Sequence, residues 1–467
     1  MAIIATLDSL IHEAGQLKAA GRMDEALALY WRAAQRFSAS GIALHNLAGM
    51  LGDLGKHEEA AGMAKRALKT GLDAPETWLV LARAELGRGD LDAAQRAYRE
   101  ALRRGPNVLP AQFEAAQLIW MTTGDRVESL QGVEAALRKP GANPMLCMVK
   151  AQALEFMGDA PAALGALTAL AEQANCPSWL LAYAAHLSAE TGDPPTAISL
   201  AERGLRAAPT EPGALEALAR ARLAAGDASG AEEILAPLAH QLPGNQHVLA
   251  MLAMAWRLRG DARYRALYDY SRFVLARPLS VPSGWGDLQS YVAALAAELK
   301  SAHSFRTHPF GHSLRQGSQL PDVLRRTSPA IAAFGEALCG PLTAYLAQIG
   351  QGEGPLPGRN TGRSAFAGSW SVWLRPGGYH VDHVHQEGWI SSACYVELPS
   401  VVSGGGREGW LRFGRPGLAL AEELAAEHWI RPEPGLIALF PSYMWHGTEP
   451  FSGDESRLTI SFDLVPA

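Results

Sequence analysis

Over its first 280 residues the chain alternates short runs of helically spaced apolar positions with polar punctuation, and the punctuation is itself periodic. A glycine followed by a polar residue recurs at Gly21, Gly55, Gly89, Gly124, Gly158, Gly192, Gly226 and Gly260, at spacings of 34 or 35 residues. Five residues after each glycine the position is small: Ala26, Ala60, Ala94, Ser129, Ala163, Ala197 and Ala231, with Arg265 in the last unit. A glycine in that place ends one helix with a left-handed cap. The aspartate or other polar residue after it starts the next helix. The small residue lets the two helices approach closely. The pattern predicts an α-solenoid of about eight helix pairs over residues 1–277, with an atypical terminal unit.

The period is lost between 278 and 365. Stretches 283–302 and 328–349 keep helical apolar spacing. Between them 310–320 reads as a polar, glycine-bearing loop, and 350–362 is a loop by composition. This predicts a helical bridge packed on the following domain, with His312, Arg315 and Gln319 as surface loop residues, an active-site contact from that loop being the alternative, and His428 exposed further on. Beyond Phe366 the pattern turns to short extended runs with turn signals between them, among them S-W-S-V-W-L-R, W-I-S-S-A-C-Y-V-E-L, L-I-A-L-F-P-S and R-L-T-I-S-F-D-L-V. Seven or eight such strands over 366–467 predict a double-sheet jelly roll, so the fold class is multidomain α + β.

Bulk composition narrows the setting. A chain of 467 residues is too long for one hydrophobic core. With 48% hydrophobic and 19% charged residues and a formal net charge of −6, nothing favours nucleic acid or an anionic membrane as partner. No uninterrupted apolar run reaches the roughly 18–20 residues of a membrane span, and no secretory signal opens the chain. Cys147, Cys176, Cys339 and Cys394 lie far apart without metal-type spacing, as expected of reduced thiols in a cytoplasmic protein. The oligomeric state is not written in these features.

The chemistry concentrates in G-G-Y-H-V-D-H-V-H-Q-E-G-W, residues 377–389. On a regular strand His380 and Asp382 share one face, and His383 and His385 the other. Only one pair could look into a barrel. A third ligand is expected from a distant strand, and M-W-H-G supplies His446. Arg457 opens the last strand eleven residues later. Two neighbouring ligands, a remote histidine and a cation form the layout of a non-haem iron site with open positions. Both His383, His385, His446 and His380, Asp382, His446 satisfy it.

These motifs, with H-V-H-Q-E-G-W-I-S-S-A-C-Y-V-E-L-P, G-W-L-R-F-G, P-G-L-I-A-L-F-P-S-Y-M-W-H and R-L-T-I-S-F-D, make residues 366–467 similar to the 2-oxoglutarate- and iron(II)-dependent oxygenases, in the bacterial and phage branch near the prolyl hydroxylases. With the repeats in front, the whole chain resembles the tetratricopeptide-repeat-containing members of that family. The resemblance implies a double-stranded β-helix domain, iron(II) as metal and 2-oxoglutarate as cosubstrate. Most of the superfamily would place the first pair at His380 and Asp382. The branch this chain most resembles uses His-x-His, which falls on His383 and His385. Arg457 matches the residue that holds the far carboxylate of 2-oxoglutarate, with Tyr395, Thr459 and Ser461 completing that pocket. Trp389, Trp445 and Trp373 are candidates for the substrate-pocket wall, in competition with plain sheet packing. The implied reaction is hydroxylation of a peptide or protein side chain captured on the concave face of the repeats. Two rivals use the same residues: a three-histidine oxygenase that needs no 2-oxoglutarate, and a non-enzymatic repeat scaffold with a degenerate barrel.

Overall fold

The computed structural model describes residues 6–467. It forms two compact units: the first runs to Ala153 apart from Met121–Gly124, and the second comprises Met121–Gly124 and Leu154–Ala467.

The first unit is a run of helix pairs, beginning with Leu7–Ala19 and Met23–Arg36, Gly41–Asp53 and His57–Lys69, and Pro75–Gly87 and Leu91–Arg104. The punctuation acts as the sequence implies. All eight stop glycines, here and in the second unit, have φ between 66° and 87°, a conformation costly for any residue with a Cβ. Asp90, Asp125, Asp159, Asp193 and Asp227 each cap the following helix, accepting from the backbone N–H three residues on. The small positions from Ala26 to Ala231 are all buried. Ser129, the only hydroxyl among them, donates to the Ala116 carbonyl at 2.7 Å.

The second unit continues the repeats through Ser178–Glu190, Pro194–Ala207, Pro212–Ala224, Ala228–Gln241 and Gln246–Leu258. The last unit shrinks to Arg263–Leu267 and Tyr270–Phe273. Arg265 there reaches Glu427 at 2.8 Å instead of packing between helices.

Nine strands follow: β1 (Leu275–Pro278), β2 (Leu314–Pro321), β3 (Ser364–His380), β4 (Ile390–Glu397), β5 (Leu411–Phe413), β6 (His428–Ile430), β7 (Leu436–Pro441), β8 (His446–Thr448) and β9 (Arg457–Pro466). They form a six-stranded sheet in the order β1-β7-β4-β9-β3-β2 and a three-stranded sheet in the order β6-β5-β8. Every pairing is antiparallel.

The sheet draws β1 and β2 from before residue 366. The stretch 310–320, expected as a loop, contains most of β2, with Ser318 and Gln319 buried. Its polar residues obscure the strand because they are satisfied internally: His303 Nδ1 lies 2.8 Å from Ser318 Oγ. Within β3 the P-G-G sequence bulges: residues 375–378 stand opposite Gln316 alone, with Gly377 at φ 78° and Gln316 at φ 55°.

The bridge helices are Leu288–Ala302 and Phe334–Ile349, the latter preceded by a short turn of helix at Pro329–Ala332. Pro329–Ile349, though interrupted by Glu336, is long and apolar enough to cross a membrane by length and composition. In this structure Phe334, Leu338 and Tyr345 enter the core, and the Tyr345 hydroxyl donates to the Phe273 carbonyl at 2.7 Å.

One apolar core joins the last repeat helix to the sheets, from Met254 and Tyr268 through Tyr291 and Phe334 to Trp389, Phe440 and Phe462. Tyr268 donates to the Tyr443 carbonyl and Tyr443 to the Leu267 carbonyl. The connection between β5 and β6, residues 414–427, lies on the same repeats. Leu418 and Leu420 pack on Leu223 and Leu235, and Arg257 donates to the carbonyls of Gly414 and Ala425. Gly417 passes so close to the next segment that a Cβ there would lie 1.8 Å from the Asp382 carbonyl oxygen. The late repeats thus brace the segment that carries the histidines.

Candidate metal centre

Strand β3 ends at His380, and the chain then turns instead of continuing extended. Period two holds for His383 and His385, which share one face, and for Asp382 on the other; the break departs from it at His380. His380, His383 and His385 line one cavity together, while Asp382 points away from it. Backbone bonds between His383 and His446, at 2.9 and 3.1 Å, hold the segment against β8.

The imidazoles of His383, His385 and His446 offer ligand atoms that all lie within 4.8 Å of one another. Their orientation follows from what their other nitrogens meet. His383 Nδ1 is 2.8 Å from the Val381 carbonyl, and His446 Nδ1 is 2.9 Å from the Met444 carbonyl. His385 Nδ1 is 2.7 Å from both oxygens of Asp463. Carbonyls and carboxylates only accept, so each Nδ1 carries a proton, and in its neutral form each imidazole presents a lone pair at Nε2. The Nε2 atoms of His383 and His385 face each other at 3.1 Å. Two lone pairs at that distance repel unless a cation lies between them. Nitrogens about 2.1 Å from one ion, subtending roughly 90–109°, would stand ~3.0–3.4 Å apart. The pair therefore has the spacing of two ligands on one metal.

Burial, and then the neighbouring imidazoles, push His383 down to about 3 and hold His446 well below the ordinary histidine range. Both are neutral near pH 7, the form a metal requires. His380 is likewise held down by burial, then by His383 and Arg457. Its Nδ1 shares Ser313 Oγ with His383 Nε2, at 3.0 and 3.1 Å.

Asp382 is engaged elsewhere. Arg412 donates to its two oxygens at 2.8 and 2.9 Å, and Arg415 stands 3.5 Å away. The structure therefore does not bring His380 and Asp382 together with His446 as a ligand set. Arg412 and Asp382 are 6% and 7% exposed, so the pair is structural and nearly dry. Replacing Asp382 with alanine leaves Arg412 with Glu449 and the Thr448 carbonyl, and is expected to lower stability by about 3 kcal/mol. Denaturant unfolding measures this. Metal binding by the folded fraction should persist.

The cavity has a volume of about 590 Å³. Strand β9 supplies one wall by simple alternation: Arg457, Thr459, Ser461 and Asp463 all line it. Arg457 is 2% exposed. Among the described residues it makes no ion pair, and its Nε has no hydrogen-bond partner. Its guanidinium sits 5.3 Å from the centre of the Tyr395 ring, whose buried hydroxyl is also unpartnered. Burial lowers the Arg457 pKa and raises that of Tyr395. A buried cation without a counter-charge is costly, and an anionic group in the cavity would relieve that cost.

Of the two roles open to the tryptophans, pocket wall and packing, the structure gives them packing. Trp389 is fully buried and donates to the Leu356 carbonyl. Trp445 donates to the Ala250 carbonyl, and Trp373 to Ser456 Oγ. None of the three lines the cavity. Trp370 does, with its ring 5.6 Å from that of His385. Gln319, expected at the surface, is buried and lines it too, and His312 lines its exposed edge. His428 is half-buried, stacked on Tyr270 at 5.1 Å. Sequence reasoning missed Asp463, Ser313 and Trp370. Of these, Asp463 was accessible by counting in twos from Arg457.

Comparison with known proteins agrees with this geometry. Residues 368–463 match the family model described as "Putative 2OG-Fe(II) oxygenase", and residues 16–191 and 188–255 match tetratricopeptide-repeat models. The chain belongs to the tetratricopeptide-repeat proteins that carry a 2OG-Fe(II) oxygenase domain. No curated protein matches it. Among solved structures, Naa15/Naa10 bound to HypK-THB is similar at 20% identity over 57% of this chain and 42% of that one, with a TM-score of 0.29. The chain thus spans less than half of that structure. YrrB, a tetratricopeptide protein with an unusual peptide-binding site, matches at 16% identity over 46% of this chain and 92% of its own, with a TM-score of 0.26. A tetratricopeptide repeat protein from Parabacteroides merdae matches at 16% identity over 53% and 98%, with a TM-score of 0.37. In this oxygenase domain β3 and β9 carry the cavity walls, and the matched segment spans every residue from Trp370 to Asp463 that lines it.

Proposed function

We propose that the protein is a 2-oxoglutarate- and iron(II)-dependent oxygenase that hydroxylates a side chain of a peptide or protein held by the repeats. The observation that carries this reading is the pairing of three converging Nε2 lone pairs with a buried, uncompensated guanidinium in one cavity. The residues present fit the implied groups. His383, His385 and His446 would hold iron(II), and Arg457 would receive the far carboxylate of 2-oxoglutarate in the two-pronged manner that guanidinium favours. Thr459, Ser461 and the Tyr395 hydroxyl offer further hydrogen bonds at that end. Together the bound metal and cosubstrate supply the oxygen activation that no side chain can perform.

What the chain itself contributes is order and exclusion. Hydrogen bonds to Val381, Met444 and Asp463 fix three imidazoles before any ion arrives. Phe440 lies edge-on to His446 with ring centres 4.6 Å apart and closes the space behind it. At about 590 Å³ the cavity has room for a dicarboxylate and a side chain at once. The repeats support the choice of a peptide or protein substrate, since stacked helix pairs present extended surfaces suited to chain segments.

The test is turnover. Protein loaded with iron(II) and given oxygen and 2-oxoglutarate is expected to form succinate, and to form more with a peptide substrate. Failure to bind 2-oxoglutarate, together with no succinate above that of a His446 variant, would overturn the reading.

A further inference from the structure

The three imidazole ligands bring no negative charge to a divalent ion, whereas the common carboxylate-containing iron site brings one. The nearest carboxylate in the sequence, Asp382, is tied up by Arg412. Two further carboxylates line the cavity: Glu387, which is exposed, and Asp463, which stands at a single remove from the three imidazoles. Asp463 lies on β9, six residues past Arg457, and both its oxygens stand 2.7 Å from His385 Nδ1. It is held from behind as well. Ser391 donates to its Oδ1 at 2.7 Å and is in turn 2.9 Å from Ser442 Oγ. Among the described residues no arginine or lysine pairs with Asp463; its only ionic partner is the imidazole. Asp463 is 15% exposed and lines the cavity. His385 is the one ligand of the three whose Nδ1 faces a charge: His383 and His446 donate to neutral carbonyls.

We propose that Asp463 is the positioning residue of the metal centre, supplying through His385 the negative charge that its direct ligands lack. This rests on the metal reading of the three histidines. Accepting the Nδ1 proton fixes the His385 tautomer, aims Nε2 at the ion and makes that nitrogen a stronger donor. Placed behind His385, the carboxylate leaves the metal's open positions free for the cosubstrate and the oxidant. Its place also explains the backing by Ser391, a buried sheet hydroxyl that donates to the carboxylate and is itself met by the Ser442 hydroxyl.

The experiment compares metal binding by the full-length wild type, Asp463→Asn, Asp463→Ala and His385→Ala, using cobalt(II) in competition with a chelator. The visible absorption of bound cobalt(II) is recorded alongside. Asp463→Asn keeps the shape and removes the charge. It is expected to bind the metal 10- to 100-fold more weakly than wild type and to shift the cobalt spectrum, while its metal-free unfolding midpoint stays near wild type. Asp463→Ala should lose at least as much. If His385→Ala loses the metal and Asp463→Asn binds it with wild-type affinity and spectrum, this inference fails and the metal reading stands. If His385→Ala also binds as wild type, the metal reading itself fails. Should Asp463→Asn lower the metal-free midpoint while leaving the cobalt spectrum of the folded protein unchanged, Asp463 is a packing residue only and the inference is overturned.

Discussion

Replacing His446 with alanine is expected to abolish metal binding and with it all succinate formation. His446 is the one ligand that does not come from the 380–385 segment, and β8 positions it independently through its pairing with β5. The binding free energy of a protein-held zinc ion, about 10–16 kcal/mol over four ligands, assigns roughly 3–4 kcal/mol to each. Losing one ligand therefore weakens binding by a factor on the order of 10²–10³. The remaining pair, His383 and His385, would hold iron(II) too weakly to survive a chelator. His446 is 5% exposed and packs against Phe440, so alanine leaves a void. His446→Gln fills most of that space and separates folding from ligation. Both variants should fold by circular dichroism and fail to retain metal in equilibrium dialysis. A variant that keeps both metal and turnover would remove the basis for the site.

Replacing Arg457 with alanine should produce effects of opposite sign on cosubstrate binding and on stability. Two charge-assisted hydrogen bonds to a carboxylate are worth about 1.5–3 kcal/mol each, so 2-oxoglutarate affinity should fall by roughly 10²–10⁴-fold. In the ligand-free protein, however, this guanidinium is buried with its Nε unpartnered and no counter-ion beside it. Its removal ends a desolvation cost. We therefore expect the thermal midpoint of the ligand-free Arg457→Ala protein to equal or exceed that of wild type, in contrast to the loss that follows breaking the Arg412–Asp382 pair. Calorimetric titration with 2-oxoglutarate and thermal melts measure the two effects on the same samples. The same variant separates the proposed reaction from a three-histidine oxygenase without 2-oxoglutarate: the first loses turnover, and the second retains it.

Much of this molecule is legible in one dimension because its causes are local. A glycine every 34 residues that must adopt positive φ, an aspartate that caps the helix after it and a small residue between paired helices each act within a few residues of their own position. The repeats could therefore be counted and placed from the letters alone. The short strands, and the wall of β9 running from Arg457 through Thr459 and Ser461 to Asp463, follow from the alternation of a pleated chain. The presence of three histidines and a cation in the C-terminal hundred residues is likewise written in the sequence.

What the sequence could not decide depended on partners distant along the chain. Whether Asp382 or His385 faces the cavity turns on where β3 stops, and that is set by β8 and by the Arg412 guanidinium that captures Asp382. Strand β2 was hidden in polar letters because its partners, β3 and His303, lie far away. Three tryptophans near the ligands in sequence proved to serve packing, while Trp370, three residues before Trp373 on β3, reaches the cavity. Charge, pairing and burial at these positions are properties of packed neighbours, and only the folded chain decides who those neighbours are.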